Sequence, residues 1–159
     1  GHGQVCLRDS VWIVAFFVMS NHVHLVLEAS NSADLSKGMA SLNTGLGLRL
    51  NRLWGRGGRG SVFAGRLHLE VVSNPTQARN VLLYVLRNDV HHGLRLGVLD
   101  PCSSAPSFAG FLERRGKPKT GCVSAKPETW IPRVGWTKAG PCGSLSSHEA
   151  PRPPVTVKA

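Results

Sequence analysis

Apolar and polar positions alternate most cleanly over residues 20–28, Ser-Asn-His-Val-His-Leu-Val-Leu-Glu. A period of two predicts a strand. In its register His22, His24, Val26 and Glu28 share one face, and Val23, Leu25 and Leu27 share the other. Just before it, Val11 to Met19 is an unbroken apolar run rich in β-branched and aromatic residues, the pattern of a strand buried on both faces. Ser20 and Asn21 supply turn chemistry between the two, so together they predict an antiparallel hairpin. Residues 1–9 carry no comparable signal.

Over residues 33–54 the period lengthens. Leu35, Met39, Leu42, Leu46, Leu50 and Leu53 recur at steps of three or four, which predicts a helix, with Ser32 placed to cap it. Gly38, Gly45 and Gly47 each weaken an isolated helix by about 1 kcal/mol relative to Ala, so this one needs tertiary support. Gly55-Arg56-Gly57-Gly58-Arg59-Gly60 follows, either a solvated linker or a loop whose amides and guanidinium groups can approach phosphates. Alternation returns from Val62 to Val72, with Arg66, His68 and Glu70 on one face. Asn74 then caps a second helix with Pro75 at its first position, running to a stop at Gly93. At about 100° per residue, Ala78, Val81, Leu82, Val85 and Leu86 form an apolar stripe. Gln77, Asn80, Tyr84, Asn88 and His91 form the opposite, polar one. The expected class is α+β.

Composition changes the picture in two places. Of 159 residues, 19 are Lys or Arg and 9 are Asp or Glu, for a net charge of +10, which favours a polyanionic partner and nucleic acid above a membrane. The apolar run at 11–19 is too short to span a bilayer and lacks the charged flank and cleavage site of a signal peptide; a cytosolic location is expected. After Asp100 the composition shifts: residues 101–159 hold nine of the ten prolines, nine basic residues and three acidic ones. This divides the chain into a domain over 1–100 and a basic, Pro/Gly/Ser-rich extension over 101–159. Within the extension only Phe108–Leu112 and Thr129–Trp136 have the apolar content to dock on a core. Cys6, Cys102, Cys122 and Cys142 form no CxxC pair or zinc-ligand spacing, and are read as reduced thiols.

Candidate chemistry gathers on few side chains. Two imidazoles one residue apart on a strand can bind a divalent cation and leave positions open for a phosphate oxygen; a half-exposed strand that merely carries two histidines has the same pattern. Tyr84 is the only tyrosine in the chain and falls in the polar stripe, with Asn88 one turn further on.

Met-Ser-Asn-His-Val-His-Leu-Val-Leu-Glu at 19–28 resembles the His-hydrophobe-His signature of single-tyrosine HUH transposases. Four further stretches resemble the family in order: Leu-Ser-Lys-Gly-Met at 35–39, Leu-Asn-Arg-Leu-Trp-Gly at 50–55, Val-Phe-Ala-Gly-Arg at 62–66 and Leu-Tyr-Val-Leu-Arg-Asn at 83–88. The resemblance is closest to the REP-associated tyrosine transposases. Glu-Thr-Trp-Ile-Pro-Arg-Val-Gly-Trp at 128–136 resembles the tail of one subgroup.

The resemblance implies a ferredoxin-like α/β sandwich with an antiparallel sheet. It implies His22, His24 and Asn88 as ligands of Mg²⁺ or Mn²⁺, and Tyr84 as a nucleophile that forms a 5′-phosphotyrosine. The partner implied is single-stranded DNA with hairpin or repeat sequences; the charge of Arg49, Arg52, Arg56, Arg59 and Arg66, clustered around the first helix end and the following strand, is expected to grip it. The protein would be a monomer or homodimer, in the cytoplasm of a bacterium and associated with its nucleoid. In that family a strand and a helix precede the apolar strand, and nothing in residues 1–10 supplies them, so the chain is expected to be truncated or a decayed copy. Two alternatives stay open: a DNA-hairpin-binding remnant without chemistry, and a small ferredoxin-like RNA-binding module, whose sheet would carry stacking aromatics in place of histidines.

Overall fold

A computed structural model describes residues 6–8, 10–57, 59–63, 67–93, 99–112, 127–139 and 144–148. Its frame is a three-stranded antiparallel sheet of β1 (Cys6–Arg8), β2 (Val11–Val18) and β3 (Val23–Ala29), in that order. The hairpin read from the sequence is β2–β3. The short β1 is a strand that the sequence pattern misses, because three residues show no period. It pairs only with the start of β2, Arg8 opposite Val11 and Cys6 opposite Trp12. The other half of that edge of β2 is covered from far along the chain: Val18 N–H donates to Cys102 O (2.9 Å) and Ser104 N–H to Phe16 O (3.0 Å). Ser104 Oγ accepts from Phe16 N–H at 3.0 Å.

The register of β2 against β3 changes once. Ile13 pairs with Leu27, but Ala15 pairs with Val26, so Val14 is an extra residue, a β-bulge. The bulge swaps the faces of β2. Ahead of it, Val11 lies opposite Ala29 and Ile13 opposite Leu27; beyond it, Ala15 lies opposite Val26 and Phe17 opposite His24. Both halves are buried, against different layers. Val11 meets the helix α1 (Ser32–Leu53) at Gly38, where an added Cβ would come within 3.0 Å of the valine side chain. Val14, Ala15 and Phe17 join the main core with Ala78, Leu82, Leu83, Val85 and Leu86 of α2 (Pro75–Leu86). The sheet is therefore covered by α1 on one face and by α2 on the other.

The cap of α1 is Asn31, one residue before the expected Ser32: its Oδ1 accepts from Asp34 N–H at 2.9 Å. A 22-residue helix is about 33 Å long, against about 27 Å for an eight-residue strand. Its C-terminal turns consequently run past the sheet. Met39 is buried near the start, whereas Leu53 is 78% exposed at the end. In α2, Asn74 Oδ1 accepts from Gln77 N–H at 2.9 Å, with Pro75 in the first turn. Full burial of Leu82 and Leu86 contributes roughly 1.5–3 kcal/mol each.

Two expected elements differ. The second helix does not run on to Gly93. It stops at Leu86, because Arg87 leaves helical geometry (φ −123°, ψ 23°), and a four-residue helix α3 (Asn88–His91) follows. Arg87 itself is buried, with its guanidinium 3.2 Å from the buried carboxylate of Asp89, a pairing that a straight helix would not present. The alternating run 62–72 forms no strand over its described residues. Alternation permits a strand, but a strand requires a neighbour, and none lies beside this run among the described residues. Leu67, Leu69 and Val71 are exposed, and the run is anchored at its end, where Val72 packs on the core and Gln77 Nε2 donates to Glu70 Oε1 (3.0 Å).

Both apolar pieces expected to dock from the C-terminal extension do so. Phe108, Phe111, Ile131 and Trp136 pack on the same core as α2, together with Leu145. Packing thus crosses residue 100 without a break. The segment from Glu128 passes through a helical turn at Ile131–Gly135 into α4 (Trp136–Lys138). It is tied to the sheet by Glu28, whose carboxylate is buried and accepts from Glu128 N–H (2.7 Å) and Thr129 N–H (2.6 Å). Hydrogen bonds to a charged acceptor are worth about 1.5–3 kcal/mol each. Glu28→Ala removes both and should therefore lower stability in urea melts by roughly 3–6 kcal/mol. In hydrogen exchange, the amides of residues 128–139 should lose protection while those of α1 keep theirs.

Candidate active site at the tip of the hairpin

The turn between β2 and β3 is closed by Met19 N–H donating to His22 O at 2.9 Å. His22 therefore stands at the turn, exposed, and His24 is the first histidine within β3, half-buried beside Phe17. The alternation of β3 aims His24 at the face on which Val26 packs against the α2 core. Tyr84, from the last full turn of α2, meets it there.

The three rings form a continuous row. His22 and His24 are edge-to-face, with centroids 4.7 Å apart and planes at 89°. His24 and Tyr84 are edge-to-face as well, at 5.3 Å and 80°. The Nε2 atoms of the two histidines are 3.1 Å apart. On the far side of His22, Nδ1 lies 2.6 Å from Asn21 Oδ1. Because that oxygen can only accept, the proton of a neutral His22 sits on Nδ1 and its Nε2 presents a lone pair toward His24.

Charge is arranged to keep His24 neutral. Burial pushes its pKa below the ordinary imidazole value of 6.5, and the positive forms of His22 and His92 push it further. A neutral imidazole is the form that ligates a metal. Two nitrogens about 2.1 Å from one ion and at right angles to one another lie about 3 Å apart, so the Nε2 pair fits a shared divalent cation. The same spacing fits a hydrogen bond between the rings when His24 carries its proton on Nε2. Among the described residues no group of three His, Cys, Asp or Glu side chains converges; an ion held here would complete its shell with other oxygens.

Asn88 is placed differently from the expectation of an exposed amide one turn beyond Tyr84 on a single helix. The break at Arg87 intervenes, and Asn88 is buried. Its Nδ2 donates to Met19 Sδ at 3.2 Å, which braces the root of the turn that carries His22. Only Oδ1 of such an amide can serve a cation. Tyr84 also departs from a purely polar stripe: it is half-buried and packs against the core, and its neighbour Leu83 is buried. Arg49, Arg52, Arg56 and Arg59 are exposed on the overhanging end of α1 and the glycine loop, with the Arg56 guanidinium 5.0 Å from the centre of the Trp54 ring. Arg66 lies outside the described residues, as does the side chain of His91. His68 is exposed on the run that forms no strand.

Three contributors escaped the sequence reading. Asn21 was legible only as a turn residue, although an Asx beside a histidine is also a candidate to fix its tautomer. His92, at the C-terminal end of α3, lies close enough to His24 for its charge to act there. Glu28, in register with the histidines, is used to hold residues 128 and 129 instead of facing the site.

No protein-family model, curated protein or solved structure matches the chain.

His24 should titrate below 6.5 in histidine-resolved NMR spectra, and His92→Gln should bring its midpoint back toward that value. The sign for stability follows: the unfolded chain takes up this proton near pH 6.5, whereas the folded chain resists it. Folding free energy contributed by His24 is therefore present above pH 6.5 and is lost as pH falls through its lowered midpoint.

Proposed function

We propose that the chain is a metal-dependent single-strand DNA nicking and joining enzyme, a transposase of the single-tyrosine HUH type closest to the REP-associated tyrosine transposases. The observation that carries this reading is the contiguous row His22–His24–Tyr84, assembled from a hairpin tip and a helix far apart in the sequence. The family resemblance in five ordered motifs supports it. So does the α+β class of the fold, in which the tyrosine-bearing α2 packs on an antiparallel sheet. No described helix is long and apolar enough to cross a membrane, and the exposed arginines at the end of α1 suit a polyanionic strand.

In this mechanism Tyr84 Oη attacks the scissile phosphorus, the bond from phosphorus to O3′ breaks, and the strand leaves with a free 3′-hydroxyl. The 5′ side stays on the enzyme as a phosphotyrosine. A neutral phenol is a weak nucleophile and needs activation by its surroundings. A bound Mg²⁺ or Mn²⁺, held by His22 and His24 with Asn88 Oδ1 as the candidate third ligand, would supply charge neutralisation at the phosphate. Asn21 keeps the His22 lone pair turned toward the site, and burial keeps His24 unprotonated. Reattack by a 3′-hydroxyl reverses the step and joins strands without ATP, because the phosphotyrosine keeps the energy of the phosphodiester.

Tyr84→Phe keeps the ring and its contacts, so stability should change by less than about 1 kcal/mol, while cleavage of a hairpin oligonucleotide falls to background. With 3′-labelled DNA, the unmodified protein should give a protein-sized shifted band on a denaturing gel. EDTA should abolish that band and either Mg²⁺ or Mn²⁺ restore it. Equal cleavage by Tyr84→Phe would remove Tyr84 as the nucleophile, and binding without cleavage in both proteins would leave a DNA-binding module.

Binding should also weaken steeply with salt. Arg49, Arg52, Arg56 and Arg59 offer about four phosphate contacts, and on single strands these give a log–log slope near −2.8. A slope near zero would exclude this cluster as the grip.

A further inference from the structure

Away from the histidines, a groove of about 330 Å³ runs between the C-terminal half of α1 and the chain that returns along it after the glycine loop. Asn43, Thr44, Gly47 and Asn51 line it from the helix, and Ser61 and Phe63 from the returning chain. The helical four lie at i, i+1, i+4 and i+8, one face of α1. Gly47 leaves the floor open: a Cβ there would find its nearest neighbour, Val62, only at 4.0 Å.

The return is made by glycine. Gly55, Gly57 and Gly60 all have positive φ (68°, 59° and 88°), a region that other residues enter at a cost. It brings the Gly60 carbonyl onto Asn51, whose Nδ2 donates to it at 2.9 Å. Asn51 is buried, and its Oδ1 has no hydrogen-bond partner. A buried acceptor left unpaired is destabilising, and it marks where a donor is wanted.

The geometry points to a subsite for one unpaired nucleobase, carrying an exocyclic amino group, in the groove between α1 and residues 60–63. The inference rests on single-stranded DNA being the partner. The volume lies at the small end of ligand pockets, roughly 300–1,000 Å³. The Phe63 ring offers a stacking surface, and Asn43, Thr44 and Ser61 offer polar edges. Arg56 and Arg59 are exposed on the glycine loop that leads into the groove, which favours an anionic strand nearby. The amino group donates to Asn51 Oδ1. That oxygen is shut off from water in the unliganded chain, so a base without an amino donor leaves it unpaired.

The test is fluorescence anisotropy with a labelled DNA hairpin that has unpaired flanks. Each unpaired nucleotide is replaced in turn by an abasic residue, and wild-type protein is compared with Gly47→Leu. A leucine at this position lies back over Asn43 and Thr44 and fills the groove, and replacing a helical glycine favours the helix; circular dichroism checks that the variant folds. In wild type, one position should lose about tenfold in affinity when abasic, the scale of a single base contact. Adenine placed there and then changed to purine, which lacks only the amino group, should give most of that loss. In Gly47→Leu the same position should become indifferent to the base. A flat abasic profile in wild type overturns the subsite while leaving DNA binding intact, and so does sensitivity that persists unchanged in Gly47→Leu. Equal affinity for adenine and purine overturns the role given to Asn51. Failure to bind any of the oligonucleotides removes the subsite and the DNA reading together.

Discussion

One extra residue in β2 decides which layer each half of that strand serves, and so what packs beside the histidines. Val14 breaks the pairing of β2 with β3, so that a single strand serves α1 with its first half and α2 with its second. Without the bulge, Phe17 would share the face of Val11 and Ile13, and the register that sets it beside His24 under α2 would be lost. The bulge also explains why β2 is apolar throughout when half of a two-layer strand would suffice. Both faces of it are interior, each for part of its length.

The site that results lies between exposure and burial. His22 is solvent-facing and held by Asn21; His24 is half-buried and kept neutral by its surroundings; Tyr84 borders the core. A gradient of this kind sets the most reactive groups at the edge of a rigid body, where a polymer can reach them without entering a cavity. The elements that stiffen the edge come from elsewhere in the chain: Asn88 braces Met19, and residues 102–104 close the outer side of β2.

Much of this was legible in the chain. Periodicity located β2, β3, α1 and α2, and their caps are side chains at or next to the expected positions. The sole tyrosine and the paired histidines do come together. What stayed hidden was non-local or too short for a period. The three residues of β1 carry no pattern. The end of α2 is set by a backbone departure at Arg87 and a buried ion pair with Asp89, and charged residues at those positions read equally well as a continuing helix surface. The failed strand at 67–72 teaches the converse, because Leu67, Leu69 and Val71 alternate well but lack a neighbour to pair with. Glu28 looked like a member of the histidine face, and only the fold reveals that its two hydrogen bonds reach residues 128 and 129.

That last contact has a consequence for synthesis. Glu28 and Thr129 are separated by 101 positions, and Phe16 and Ser104 by 88. At about 5–20 residues per second, the hairpin leaves the ribosome some 5–20 s before the segment that hydrogen-bonds its buried carboxylate and covers its outer edge. During that interval α1 and α2 can already cover the two faces of the hairpin, but the outer edge of β2 and the Glu28 carboxylate still lack their final partners. The last contacts of the sheet are thus completed from the C-terminal side.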